Sequence, residues 1–135
     1  MESSININYL AVIVMTVFNF ILGGLWFSPP LFGKIWVKLI DKKQEELMSP
    51  AKAMSLSVIT TLIMTYFLAY FIALIGTQTF AGGMTIGAFL WIGFTAAPSM
   101  NNVIFEGKPL KLYIIHASYY LVCLIVSGGI LAIWK

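Results

Sequence analysis

His116 is the one side chain within the long apolar stretches of this sequence that titrates near neutral pH. An imidazole there can pass a proton or hold a metal ion. A metal site needs further ligands, however, and the apolar stretches carry neither a second histidine nor a carboxylate. On its own, His116 reads as a group that hydrogen-bonds a neighbouring helix or interfacial water, and no metal or cofactor is expected. Asn19 is the second candidate. An amide deep in an apolar run needs partners, so it either ties helices together or lines a polar pocket. Thr60, Thr61 and Thr65, then Ser118 and Ser127, carry hydroxyls suited to the same tasks. Asn101 and Asn102 come just after Pro98 and Ser99. Proline removes a backbone hydrogen bond, and a broken helix end with free polar groups can hold a substrate or ion. Simple termination of the helix at Pro98 is the plainer expectation.

What is missing narrows the chemistry further. No Asp, Glu, Lys or Arg falls in the middle of an apolar stretch. Proton-coupled pumps need such a group to bind and release the proton. Small four-helix multidrug exporters use a carboxylate in their first helix, and none stands there, which argues against that class. There is no phosphate-binding loop, no dinucleotide fingerprint and no Ser/His/Asp set. The protein is therefore not expected to be an enzyme. Cys123 is a small apolar filler, and a single cysteine excludes a disulfide framework and a Cys-based zinc site.

The elements that must position these residues follow from composition. Of 135 residues, 60% are hydrophobic and 10% charged, and mean hydropathy is +0.93. An ordinary soluble domain is about 25% charged, so a soluble globular or disordered chain is excluded. Four apolar stretches remain between the charges, roughly 5–27, 53–75, 83–100 and 112–134. Each approaches the roughly 20 residues that span a bilayer as a helix, and isolated spans must be helical to satisfy their own backbone in lipid. The expected fold is all-α: a single polytopic membrane domain over 1–135, built as a bundle of four transmembrane helices. The first stretch should remain as a helix, because Met1–Ser4 lacks a basic region and no cleavage pattern follows. Neither a Gly at position 2 nor a suitably placed cysteine marks a lipid anchor. Between the first two spans, Leu31, Phe32, Ile35, Trp36, Leu39 and Ile40 recur at helical spacing, with lysines between them. That pattern predicts a short amphipathic interfacial helix within 31–48. Ser28-Pro29-Pro30 should end the first span, and Ser49-Pro50 should cap and start the second.

All eight basic residues are lysines, and seven of them fall in or beside the loops joining spans one to two and three to four. Positive residues favour the cytoplasmic side. Both charged loops are thus expected in the cytoplasm and both termini outside, in the inner membrane of a bacterium. The net charge of +3 is explained by this bias, so nucleic acid is not an expected partner. A polybasic patch holding anionic membrane lipid uses the same residues. Gly23, Gly24, Gly83, Gly87, Gly128 and Gly129 supply small faces for close helix packing, within one chain or between copies of a homo-oligomer.

Three segments carry a resemblance. Asn19-Phe20-Ile21-Leu22-Gly23-Gly24-Leu25-Trp26-Phe27-Ser28-Pro29-Pro30-Leu31-Phe32-Gly33-Lys34-x-Trp36 resembles the N-terminal signature of a bacterial family of small membrane proteins known only as a domain of unknown function. Asn102-x-x-Phe105-Glu106-x-x-Pro109 is similar to its third-loop motif, and Tyr119-Tyr120-Leu121 with Gly128-Gly129-Ile130-Leu131-Ala132-x-Trp134 to its C-terminal pattern. The resemblance implies a four-helix membrane fold and no established activity. It also implies a group of polar family residues at one end of spans one and three: Trp26, Ser28, Pro29, Asn102 and Glu106. There Glu106 is expected to pair with Lys34 or Lys108. Such a group either locks the loops or forms a shallow site for a small polar ligand or lipid headgroup. Two functions stay open on the sequence. One is a homo-oligomeric transport or channel protein for a small solute, with Asn19, Thr61, Thr65 and His116 along the path. The other is a membrane assembly partner that acts through helix contacts with another membrane protein.

Overall fold

The computed structural model of the protein describes residues 5–28, 30–40 and 49–134. Their regular structure is helical: α1 Tyr9–Trp26, α2 Gly33–Ile40, α3 Pro50–Ile75, α4 Phe80–Ile104 and α5 Leu110–Ile133. α1, α3, α4 and α5 are each long and apolar enough to cross a membrane. The expected interfacial helix is represented by α2; residues 41–48, with Lys42 and Lys43, lie outside the described residues.

Local chemistry sets the helix ends. The Asn8 side chain accepts from the Ala11 N–H at 3.1 Å and starts α1. Ser49 accepts from the Lys52 N–H, with Pro50 in the first turn of α3, as the Ser-Pro pair predicts. Thr79 caps α4 through the Gly82 N–H. The Asn8 amide donates to the Trp134 carbonyl at 3.4 Å, so the start of α1 and the end of α5 lie together. That side of the bundle is the termini end. The opposite side carries Lys34, Lys38, Lys52, Lys108 and Lys111 and is the lysine end.

The third span corrects an expectation. Pro98 does not terminate it: the helix continues through Pro98 to Ile104, well past the expected limit of 100. Directly before the proline, Ile92–Ala96 form a π-helical turn, closed by the Ala97 N–H on the Ile92 carbonyl. A widened turn relieves the clash between a proline ring and the preceding turn, which lets the helix run on.

The bundle is turned inside out relative to a water-soluble one. Asn19, Thr65 and Ser127 are fully buried, whereas Phe94 is 78% exposed and Phe89 69% exposed. Lipid-facing helices favour this arrangement, because apolar surface meets hydrocarbon and polar groups find each other. α5 is the central element and contributes more buried residues than any other helix. α4 lies on it backbone to backbone. A Cβ built on Gly83 would collide with the Gly128 carbonyl, and one on Gly87 with the Leu124 carbonyl. Gly129 meets the Phe80 ring in the same contact. Gly24 is exposed, with nothing among the described residues within 4 Å of where a Cβ would stand. α3 packs through Thr61, Thr65, Leu68, Ala69 and Ile72, while residues 51–60 are exposed throughout.

Candidate functional site

The polar residues singled out in the sequence fall into two separate groups. The first is centred on Asn19. Its amide nitrogen donates to Ser127 Oγ at 2.9 Å and to Thr65 Oγ1 at 3.3 Å. Its side-chain oxygen lies 3.3 Å from Ser127 Oγ, and its backbone carbonyl accepts from the Tyr119 hydroxyl at 2.6 Å. Thr65 in turn donates to the Thr61 carbonyl at 2.8 Å. Gly23 makes this possible, since a Cβ there would sit 2.7 Å from the Tyr119 oxygen. One asparagine thus ties α1, α3 and α5 together, with its side-chain donors and acceptor engaged. Interhelical bonds of this kind contribute about 0.6 kcal/mol each on average, and up to about 1.7. The arrangement is a lock.

The second group surrounds a cavity of about 510 Å³ at the lysine end, walled by α2, the second half of α4 and the first half of α5. That volume falls within the roughly 300–1,000 Å³ typical of small-ligand sites. α2 contributes Trp36 and Leu39; α4 contributes Thr95, Ser99 and Asn102; α5 contributes Leu112, His116 and Tyr120; and Lys108 stands at the loop. The walls are held by three bonds onto the α4 and α5 backbones. Trp91 Nε1 donates to the Ala117 carbonyl at 2.7 Å and the Tyr113 hydroxyl to the Ala96 carbonyl at 2.7 Å, one on each side of the π-helical turn. Trp26 Nε1 donates to the Ile115 carbonyl at 3.1 Å. α2 starts close against the end of α1, because Gly33 has no Cβ to strike the Phe27 and Ser28 backbone. The Phe27 ring then lies 5.1 Å from both Trp36 and His116, and 5.6 Å from Tyr119.

Among the candidates read from sequence, His116 and Asn102 line this cavity. Asn19, Thr61 and Thr65 belong to the lock. Trp26 packs on Phe32 and Tyr119 at 5.2 and 6.2 Å, and Ser28 Oγ turns back to the Leu25 carbonyl at 2.5 Å. The expected pairing of Glu106 with Lys34 or Lys108 does not form; Glu106 is exposed, and no ion pair occurs among the described residues. Nor does any group of three His, Cys, Asp or Glu there have the arrangement of a metal site. Sequence reasoning missed Trp36, Thr95, Ser99, Lys108 and Tyr120 as cavity residues. The spacing of Thr95, Ser99 and Asn102, at i, i+4 and i+7, was a readable signal of one polar helix face.

Apolar surfaces turned outward, a saturated polar lock and a ligand-sized cavity with a polar face define a four-span helical membrane protein with room for a small molecule at its lysine end. Residues 10–132 match the family model described as Protein of unknown function (DUF1761), and the chain belongs to that family. Searches among the curated proteins and among the solved structures found no match.

Proposed function

We propose that the protein is a carrier that takes a small solute into its lysine-end cavity and passes it across the bacterial inner membrane, with the lysine end in the cytoplasm. The observation that carries this reading is the contrast between the two ends of α4: a 510 Å³ cavity lined by half-buried Thr95, Ser99 and His116 beside one stretch, and helix backbones in contact beside the other. A site that opens along α4 toward one end only is the resting form expected of alternating access; the separate cavity of about 330 Å³ at the termini end is lined by Asn8, Ile72 and Trp134 and by no residue of α4. The π-helical turn before Pro98 fits as well, since such turns within helices are frequent at functional sites. The lysine bias supports the orientation.

Ser99→Cys in membrane vesicles of both orientations tests it. Cys123, fully buried, provides a silent background to a membrane-impermeant thiol reagent. Fast labelling is expected from the cytoplasmic face and slower labelling from the opposite face. Labelling from one face alone, under all conditions, reduces the protein to a binding protein.

Assembly with a second membrane protein or another copy is the alternative reading, favoured by residues 51–60 of α3, which are exposed throughout. Crosslinking from Leu56→Cys in native membranes distinguishes the two: a single defined adduct supports assembly, and its absence leaves that face to lipid.

A further inference from the structure

We infer that the cavity selects an amphiphile with one acyl-type chain and an anionic carboxylate or phosphate head. The inference rests on reading the cavity as a ligand site and adds the chemical class of the ligand.

Three observations point the same way. First, the charge on the cavity wall has one sign among the described residues. Lys108 lines it without an ion-pair partner, and no Asp or Glu lines it, among those residues. Lys108 is exposed at the rim, and its ammonium favours an anion that approaches the cavity mouth. Second, Trp36 is a cavity wall, and its Nε1 is the buried side-chain polar atom that lacks a partner among the described residues. An indole N–H only donates, and a buried donor left unpaired costs about 1–3 kcal/mol. Trp26 and Trp91 each have a backbone carbonyl for theirs. An acceptor carried by an occupant supplies the counterpart once the ring turns toward the cavity, since Nε1 itself has almost no accessible surface. Third, part of the wall is apolar, across from the polar face of Thr95, Ser99 and Asn102. Leu39 and Leu112 face the same space as Lys108 and Trp36, so a bare inorganic anion would leave apolar surface uncovered, and a neutral chain would leave both donors unused. A chain with an acceptor head meets both demands. The cavity also sits where such a molecule resides, at the level of α2, whose apolar residues follow an interfacial helix pattern.

The test is equilibrium binding to the full chain in phosphatidylcholine nanodiscs, with empty nanodiscs subtracted. The probes are radiolabelled dodecanoate and dodecyl phosphate, with dodecanol as the neutral control and hexanoate as the water-soluble anion. The expected result is saturable binding near one per chain, with both long-chain anions at least about tenfold tighter than dodecanol. Lys108→Gln should remove most of that tenfold preference and leave dodecanol unchanged. Trp36→Phe, which keeps the ring and loses the N–H, should weaken the anions several-fold. If hexanoate binds as tightly as dodecanoate, the ligand is a soluble anion and the acyl chain is overturned. If dodecanol matches dodecanoate, or Lys108→Gln leaves the preference intact, the anionic head is overturned. Absence of saturable binding by every probe also overturns the inference. The carrier reading then stands or falls separately on Ser99→Cys labelling. Ser99→Trp, on a half-buried wall position, fills the cavity without replacing a core residue and should abolish binding while the helical unfolding transition is retained.

Discussion

From Phe80 to Trp91, α4 is pressed onto α5 with carbonyl and glycine in direct contact; from Ile92 to Ile104 the same helix stands beside the cavity. The second stretch is the more polar, with Thr95, Ser99, Asn101 and Asn102, but both contain glycine. What the glycines face also separates them. Gly83 and Gly87 face the α5 backbone, while Gly93 has nothing within 4 Å of a would-be Cβ. In a membrane, where apolar burial gives little drive between helices, close backbone approach decides which halves stay together. The termini half is therefore built to be fixed. The lysine half is held to α5 by side-chain bonds from Trp91 and Tyr113, which leave space between them and α2.

The strongest way to break that contrast is to put the same side chain on both stretches. Gly87→Leu forces four carbon atoms into the Leu124 carbonyl and should destabilise the fold by about 3 kcal/mol, the upper range for overpacking. Gly93→Leu should stay within about 0.5 kcal/mol, as a surface change does. Unfolding by sodium dodecyl sulfate in mixed micelles measures both. Equal losses would show that α4 is uniformly packed and that the open half is closed in the membrane.

Asn19→Leu sharpens the comparison at the next level. It removes the bonds to Thr65 and Ser127 at similar side-chain size, and the loss should be about 1–2 kcal/mol in the same assay. It should not change anion binding at the cavity, because none of Asn19, Thr65 and Ser127 lines it. A change in binding would join the two groups into one path, as a transport route along Asn19, Thr61, Thr65 and His116 requires.

The lock and the cavity were not equally legible in the sequence. Asn19 announced itself, because a lone amide in a long apolar run must find partners, and the hydroxyls that serve it lie on other spans where interhelical bonds are expected. Its exact partners, Thr65 and Ser127 rather than Thr60 or Ser118, depend on helix rotation, which weakly amphipathic spans do not reveal. The cavity was half legible. His116 and Asn102 were recognised, but Trp36 was read as part of an interfacial surface, and Lys108 as a topology signal or as a partner for Glu106. Whether an interfacial helix lies flat on lipid or leans on a neighbouring span depends on close contacts such as Gly33 against Ser28, and no periodicity encodes them. Pro98 misled for a similar reason. Proline rules describe the α-helix, and the π-helical turn before it changes the geometry to which they apply.

Pro98→Ala gives the smallest expected change in stability and the most specific one in the cavity. Alanine restores an N–H and removes the ring, so the reason for a widened turn at Ile92–Ala96 disappears. The added hydrogen bond and better helix propensity favour the fold, while the lost Tyr113 bond to the Ala96 carbonyl opposes it. The net should lie within about 0.5 kcal/mol in the unfolding assay. Closing a π-helical turn to α geometry takes up one residue of register, which rotates the helix beyond it by about 100°. Thr95, Ser99 and Asn102 would then leave the cavity wall together. Ser99→Cys on the Pro98→Ala background should be labelled several-fold more slowly from the lysine side, and dodecanoate binding should weaken in parallel. Unchanged labelling and binding would mean that α4 is positioned by Trp91 and Tyr113 alone, and that the proline is a passenger in the open half.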